Sequence, residues 1–143
     1  MKKINVFSVG NETLEVHSDS RGTIADVFVK ANLHHVSIIH SIKGAIRGNH
    51  YHLESTQSIL VTKGELEYWY RGSDPQAKAE MVLCVVGDLV TSDPGEVHTM
   101  HTISESSEFI AFTEGKRGGS DYEADTYRVP NIIQDNENST PRS

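Results

Sequence analysis

The sequence has little of several features that would decide its class at once. It contains one cysteine, Cys84, in the apolar run MVLCVV, so an intrachain disulfide is excluded and a buried, unreactive thiol is expected. No run approaches about 18 apolar residues, and the first ten residues, MKKINVFSVG, lack the apolar segment of about 7 to 15 residues of an export signal. We therefore expect a protein with no membrane partner, located in the reducing cytoplasm.

Positive charge is also scarce. The chain has 13 Lys and Arg against 20 Asp and Glu, a formal net charge of −7, which argues against nucleic acid as a partner. A phosphorylated small molecule remains compatible with this charge, because one or two local arginines can bind a phosphate inside an acidic protein. The 143 residues suit one domain.

A convincing amphipathic helix is missing as well. Short alternating or apolar segments separated by turn signals instead predict seven or more strands, and hence an antiparallel sandwich or barrel. The predicted strands cover approximately residues 23–31, 34–42, 65–71, 79–86, 89–91, 96–103 and 108–113, with another strand, turn and strand in 44–64. We predict a single domain over residues 1–130 and a loose polar tail over 131–143.

The strand predicted at residues 34–42 carries a histidine on its apolar face. Val36, Ile38, His40 and Ile42 alternate with the other residues and share that face. His40 is therefore expected either to face the interior together with other histidines or, preferably, to be a core histidine bonded to a backbone carbonyl.

Residues 44–64, GAIRGNHYHLESTQSILVTKG, are the densest functional stretch. His50 and His52 lie two apart, so on an extended strand both imidazoles project from one face while Tyr51 points the other way. Gly64 marks a tight turn into the next strand. We interpret this stretch as a hairpin carrying a site.

Two clusters of fixed spacing carry a family resemblance. In order, their positions are Gly44, His50, His52, Gln57 and Gly64, then Gly87, Asp93, Gly95, His98 and Thr102. This pattern resembles the paired motifs of the cupin superfamily, over roughly residues 20–115, with glutamine where glutamate is usual. The resemblance implies an all-β cupin jelly-roll barrel and a homodimer.

The segment RGNHYH at 47–52 narrows the resemblance to cupins that act on sugar nucleotides. It is similar to dTDP-4-keto-6-deoxyhexose 3,4-ketoisomerases, to dTDP-4-dehydrorhamnose 3,5-epimerases and to the C-terminal cupin domain of capsular sugar-nucleotide enzymes. Gln57 agrees with the ketoisomerase pattern, whereas Ile59 stands where the epimerase pattern has lysine. The segment DYEADTY at 121–127 resembles the end of the capsular-enzyme domain.

The resemblance implies proton transfer beside a keto group, in a sugar-nucleotide isomerase or epimerase of polysaccharide or deoxysugar biosynthesis. Histidine suits the role of base, and the resemblance nominates His50 first and His52 second. Arg47 carries a planar fork of donors able to bind a nucleotide phosphate or the sugar carbonyl, although a surface ion pair is the alternative. The candidate acids are Tyr51, Tyr68 and Tyr70, none of which the sequence favours over packing.

The rival chemistry is metal binding. His50, His52, Gln57 and His98 occupy the positions that ligate a divalent ion in metal-binding cupins, and three imidazoles can hold zinc, iron, manganese or nickel. A neutral amide at Gln57 leaves the charge of the ion uncompensated, so partial occupancy is expected. His101 falls on the opposite face of the strand and is predicted not to be a ligand. A metal-dependent dioxygenase and a non-catalytic carbohydrate-sensing cupin are the alternative functions.

Overall fold

The protein is built almost entirely from short strands. The computed structural model describes residues 1–8, 10, 14–115 and 123–134. In chain order the strands are β1 Lys2–Asn5, β2 Val16–Asp19, β3 Gly22–Ala25, β4 His35–Ile42, β5 Ile46–Tyr51, β6 Thr56–Lys63, β7 Leu66–Arg71, β8 Glu80–Cys84, β9 Asp88–Ser92, β10 Val97–Thr102, β11 Ser106–Glu114 and β12 Tyr127–Arg128.

Two five-stranded antiparallel sheets form the body of the fold. Sheet 1 has the order β1-β9-β6-β11-β4 and sheet 2 the order β12-β5-β10-β7-β8, while β2 and β3 form a separate hairpin. Ile59, Val61 and Phe109 of sheet 1 share one core cluster with Leu66 and Met100 of sheet 2. The sheets therefore pack face to face as a cupin jelly roll, which confirms the predicted fold class.

Strict alternation on β11 shows how the sequence specifies this packing. Ser107, Phe109, Ala111 and Thr113 are buried, while the residues between them are partly exposed. Full burial of a side chain the size of Phe109 contributes about 1.5 to 3 kcal/mol. A shift of the register by one residue would carry this whole set to the outer face, so the pattern fixes the pairing.

The predicted hairpin at residues 44–64 is wrong. β5 pairs with β10 and β12, whereas β6 pairs with β9 and β11, so the two strands lie in opposite sheets. Residues 52–55 carry the chain across from sheet 2 to sheet 1, and the turn at Gly64 carries it back to β7. Adjacent strands with apolar inner faces thus bury those faces against each other across the barrel, instead of pairing side by side.

The face assigned to β4 is also corrected. The alternation is as predicted, but Val36, Ile38 and Ile42 are 54%, 64% and 76% exposed. His40 lies on the same outer face, where its Nε2 is 2.8 Å from Glu108 Oε2, so neither expectation for this histidine holds. β4 is the edge strand of sheet 1, and its other face contributes Ile39 to the core.

The strand predicted at residues 23–31 ends early. β3 stops at Ala25, and the backbone N–H of Asp26 donates to the Glu15 carbonyl, closing the hairpin with β2. The chain then turns back to sheet 1, where the Phe28 ring meets Phe112 edge-on with centroids 4.7 Å apart. Packing of this partly buried aromatic ring replaces continued strand pairing.

Packing continues into the segment predicted to be a loose tail. Ile132 is 7% exposed and forms a small cluster with Ala79 and Val97 on the outer side of sheet 2. Its N–H donates to Asn49 Oδ1 at 3.0 Å. The ordered packing therefore reaches past residue 130, and residues 135–143 of the predicted tail lie outside the described residues.

Cys84 is fully buried, as predicted, and burial, together with the charge of Asp88, raises the pKa of its thiol to about 12. Such a thiol stays protonated and unreactive at neutral pH.

Within the described ranges, no helix has the length and apolar character needed to cross a bilayer.

Candidate functional site

A bulge in β5 gives the site its shape. His98 of β10 pairs with His50, but the next residue, Thr99, pairs with Gly48, so the register shifts. Asn49 is therefore the extra residue of the bulge, and its φ is 56°. Without this extra residue, two positions three apart would face opposite ways. The bulge therefore turns Arg47 toward the same side of the sheet as His50.

Gly48 is required by the close approach of β10 at this bulge. Its φ is 111°, and a Cβ atom at this position would lie 2.6 Å from the backbone oxygen of His98. Asn49 secures the other side, because its N–H donates to the Thr99 hydroxyl at 2.8 Å and its Oδ1 accepts from that hydroxyl at 2.7 Å. The bulge is thus fixed by both backbone and side-chain contacts.

Three histidines converge inside the barrel. The ring centroids of His50 lie 4.8 Å from those of both His52 and His98, and the remaining pair is 5.6 Å apart. One nitrogen from each ring can be chosen so that all three lie within 4.8 Å of one another. His52 is 5% and His98 2% exposed, whereas His50 is only partly buried. The predicted convergence of these three residues is confirmed.

Backbone carbonyls orient two of the rings. The Nδ1 atom of His52 is 2.9 Å from the Asp125 carbonyl oxygen, and Nδ1 of His98 is 3.3 Å from that of Glu96. A carbonyl can only accept, so each Nδ1 carries the proton and each Nε2 presents a lone pair. Nε2 of His98 is buried and has no hydrogen-bond partner among the described residues.

Burial keeps the His98 ring neutral. Loss of solvation, reinforced by the neighbouring His50 and His52 rings, lowers the pKa of His98 from 6.5 to about 3. A ring with so low a pKa is a weak base at neutral pH. It is suited to donate its lone pair to an ion or to accept a hydrogen bond from a substrate.

Tyr68 forms one wall of the site. Its ring stacks on that of His98 at a centroid distance of 6.2 Å, and its hydroxyl makes a short hydrogen bond with Ser92 Oγ. Burial raises the pKa of Tyr68 above its ordinary value, so the hydroxyl remains protonated. Tyr51 instead stacks on Tyr127 at 5.1 Å, on the strand face opposite to the histidines, as its position between them predicts.

Gln57 lies on the inner face of β6, two residues before the buried Ile59. Its register partners are Ser92 on β9 and Thr113 on β11, both buried. It therefore belongs to the layer that contains the Tyr68–Ser92 contact. Its role as a fourth ligand stays a prediction.

Arg47 is held at the boundary between the two sheets. Its Nε donates to Ser41 Oγ at 2.8 Å and its Nη2 to the His40 carbonyl at 3.1 Å, both on β4. Both acceptors are neutral, and no ion pair with Arg47 occurs within the described part of the chain. The alternative of a surface ion pair is thus unsupported, and the predicted substrate contact stays a prediction.

A model of the polysaccharide biosynthesis C-terminal domain matches residues 17–126, about three quarters of the chain. The protein belongs to this family. The match contains all three converging histidines and also Asp125.

One curated relative matches part of the sequence. The UDP-2-acetamido-2,6-beta-L-arabino-hexul-4-ose reductase of Pseudomonas aeruginosa is 31% identical over 91 residues, which cover 62% of this chain and 24% of that protein. The chain thus matches only about a quarter of the length of this relative.

Solved structures share the fold at low identity. NovW, a 4-keto-6-deoxy sugar epimerase from the novobiocin cluster of Streptomyces spheroides, superposes with a TM-score of 0.70 at 17% identity, covering 91% of this chain and 75% of NovW. The sugar 3,4-ketoisomerase QdtA of Thermoanaerobacterium thermosaccharolyticum, in complex with TDP, gives 0.66 at 15% identity, covering 82% and 85%. The fold of this family member is therefore that of sugar-modifying cupins.

The histidines of this family member fit a divalent ion. They supply three imidazoles, the buried Nε2 of His98 has no hydrogen-bond partner among the described residues, and a proton on Nδ1 of both His52 and His98 places each lone pair on Nε2. Three such ligands match the donor sets of catalytic zinc and related sites, which keep further positions open.

His101 stands apart from the site, as predicted. Its Nδ1 bonds Glu67 Oε1 at 2.7 Å on the outer face of sheet 2.

Asp125 is a residue that sequence reasoning missed. It is 1% exposed although charged, and its carboxylate accepts from the N–H groups of Leu53 and Glu54 and from the hydroxyl of Ser55. Burial raises the pKa of Asp125, but these hydrogen bonds outweigh burial and hold the pKa below its ordinary value. The DTY element at 125–127 was the available signal. Asp121 and Tyr122 of that predicted segment lie outside the described residues.

Proposed function

We propose that the protein is an isomerase or epimerase that acts on a nucleotide-linked keto sugar in polysaccharide or deoxysugar biosynthesis. The observation that carries this proposal is the convergence of His50, His52 and His98 inside the barrel. Membership of the family and the shared fold with a sugar epimerase and a 3,4-ketoisomerase support it. The formal net charge of −7 favours a small substrate over nucleic acid.

The reaction begins with removal of a proton from carbon beside the keto group. His50 is the base, because it is the least buried of the three rings and hence the one that a sugar carbon can approach. The electron pair of the broken C–H bond moves onto the keto oxygen and forms an enolate. Return of the proton to the other face of the same carbon inverts it, while return to the adjacent carbon, with transfer of the hydroxyl proton, moves the keto group.

Neighbouring groups hold the substrate during this transfer. His52 and His98 present Nε2 lone pairs that accept hydrogen bonds from sugar hydroxyls. Arg47 lies on the same side of sheet 2 and binds the nucleotide phosphate or the keto oxygen through its guanidinium fork.

A metal-dependent form of the site is the second candidate. It is favoured by the buried Nε2 of His98, which has no hydrogen-bond partner in the described part of the chain and which an ion would satisfy. His50, His52 and His98 would then be the ligands, with Gln57 as the fourth, and the ion would supply Lewis-acid polarisation of the substrate oxygen. Zinc, iron, manganese and nickel all suit this donor set. A metal-dependent dioxygenase would use the same ligands, and differs by consuming oxygen.

Product formation from nucleotide-linked 4-keto-6-deoxy sugars tests the proposed activity. TDP-linked and UDP-linked substrates are incubated with the protein before and after chelation, and isomers are followed by NMR. His50→Asn should lower turnover by about 100-fold or more. His101→Asn, which removes an imidazole from the outer face of the neighbouring strand β10, should retain activity. Binding of these sugars without any turnover would favour the sensing function instead.

We further propose that the protein acts in the cytoplasm as a homodimer. The exposed apolar strip of β4, formed by Val36, Ile38 and Ile42, lies on an edge strand where a second copy can pair antiparallel by two-fold symmetry. Light scattering should give the mass of two chains. Ile38→Lys should give monomers, whereas Leu83→Lys on β8, the edge strand of sheet 2, should leave the dimer intact. A monomeric unmodified protein would contradict this assembly.

A further inference from the structure

The segment from Glu123 to Ile132 lies along β5, the strand that carries His50 and ends directly before His52. β12 pairs with β5 so that Tyr127 faces Tyr51 and Arg128 faces His50. Beyond this pairing, the N–H of Val129 donates to the Asn49 carbonyl at 2.8 Å. The segment therefore follows β5 residue by residue and ends on the bulge at Gly48 and Asn49, directly before His50.

Asp125 joins this segment to His52 in two ways. Its backbone carbonyl accepts from Nδ1 of His52 at 2.9 Å. Its carboxylate accepts from the N–H groups of Leu53 and Glu54, at 2.9 and 3.0 Å, and so holds the two residues that directly follow His52. Asp125 thus holds both the ring of His52 and the backbone that follows it.

The hydrogen bond to Nδ1 matters because a free neutral imidazole exchanges its proton between two nitrogens. With Nδ1–H bonded to a carbonyl, the lone pair is confined to Nε2, so Nε2 is the atom that His52 can offer to the histidine cluster. The carbonyl belongs to the backbone and survives any substitution at residue 125. The position of this carbonyl does depend on the side chain, because the buried carboxylate fixes residue 125 against residues 53–55.

We propose that Asp125 is a positioning residue for the histidine site, holding His52 in the tautomer and orientation that direct its Nε2 to the reacting or ligated centre. The inference rests on the proposed function for its importance in turnover. The geometry of His52, however, can be measured without any substrate.

The decisive readout is the His52 tautomer, observed by long-range ¹H–¹⁵N correlation NMR on chelated protein. In the unmodified protein the Nδ1–H form should dominate. Asp125→Ala should produce a mixture of tautomers, lower the affinity for zinc by about 10- to 100-fold, and lower kcat more than it raises KM. Asp125→Asn keeps one carbonyl oxygen as an acceptor for the N–H groups and should restore most of each property.

A matched control separates positioning from loss of stability. Ile132→Ala removes a buried side chain from the same segment without touching His52, so it should lower the melting temperature but leave the tautomer and the zinc affinity unchanged. Should Asp125→Ala fail to fold, Ser55→Ala removes only the hydroxyl donor to the carboxylate and should shift the tautomer in the same direction.

An unchanged His52 tautomer and zinc affinity in the folded Asp125→Ala variant would overturn the proposal. If the tautomer and the zinc affinity change in Asp125→Ala as expected, but the unmodified protein turns over no nucleotide sugar, Asp125 keeps this positioning role. In that case it is the proposed activity that fails.

Discussion

Replacement of His98 by leucine tests the electrostatics of the site. The ring is 2% exposed, its Nε2 has no partner among the described residues, and its pKa is lowered to about 3. In the unfolded chain the same ring has its ordinary pKa of 6.5. Leucine fills a similar volume and removes both the titration and the buried polar nitrogen.

The expected magnitude follows from proton linkage. Between pH 6.5 and pH 3 the unfolded chain binds a proton at residue 98 that the folded protein does not. The stability present above pH 6.5 is therefore lost as the pH falls, by about 1.4 kcal/mol for each pH unit. At pH 4.5 the loss from this one ring amounts to about 3 kcal/mol.

Urea unfolding of chelated protein, measured from pH 7.5 to pH 4.5, gives this quantity as a difference between variants. The stability of His98→Leu relative to the unmodified protein should rise by about 3 kcal/mol across this range, because titrating groups that do not interact with residue 98 cancel. It should be at least equal at pH 7.5, since an unsatisfied buried group costs about 1 to 3 kcal/mol. His101→Leu serves as the control on the other face. Parallel curves for His98→Leu and the unmodified protein would refute the reasoning.

Three further substitutions probe the bulge, the guanidinium and the fourth ligand position. Gly48→Ala should cost about 1 to 3 kcal/mol in urea unfolding from its positive φ alone, in addition to the contact with the His98 oxygen; an unchanged midpoint would contradict the bulge as described. Arg47→Ala should weaken binding of a nucleotide sugar by about 1.5 to 3 kcal/mol in calorimetry with little change in melting temperature, and an unchanged Kd would exclude it from the substrate site. Gln57→Glu should raise the metal content found by elemental analysis, since a tenfold gain in affinity needs only about 1.4 kcal/mol; equal or lower content would show that residue 57 does not face the ion.

Local geometry explains what the sequence could predict. His50 and His52 share a face because an extended strand repeats every two residues, and no tertiary information is needed for this. His98 joined them through the second motif of the cupin resemblance, and the structure confirms the meeting of the three. The all-β class followed from short segments with turn signals.

Long-range packing and strand pairing explain what the sequence could not predict. Alternation on β4 separates two faces but does not say which is inside, and the face bearing Ile38 and His40 proved to be the outer one. Likewise, a turn after β5 does not reveal whether the chain pairs back or crosses to the other sheet. The contacts of Asp125 join residues about 70 positions apart, so only the folded chain shows them.

The measurement that tests the central claim most directly is exchange of solvent deuterium into a nucleotide-linked keto sugar. Proton removal beside the keto group labels that carbon in D₂O, whichever isomer is released. The account predicts deuterium next to the keto carbon with the unmodified protein, and about 100-fold slower labelling with His50→Asn. Labelling that is no faster than in buffer alone, for TDP-linked and UDP-linked keto sugars that demonstrably bind, would contradict it.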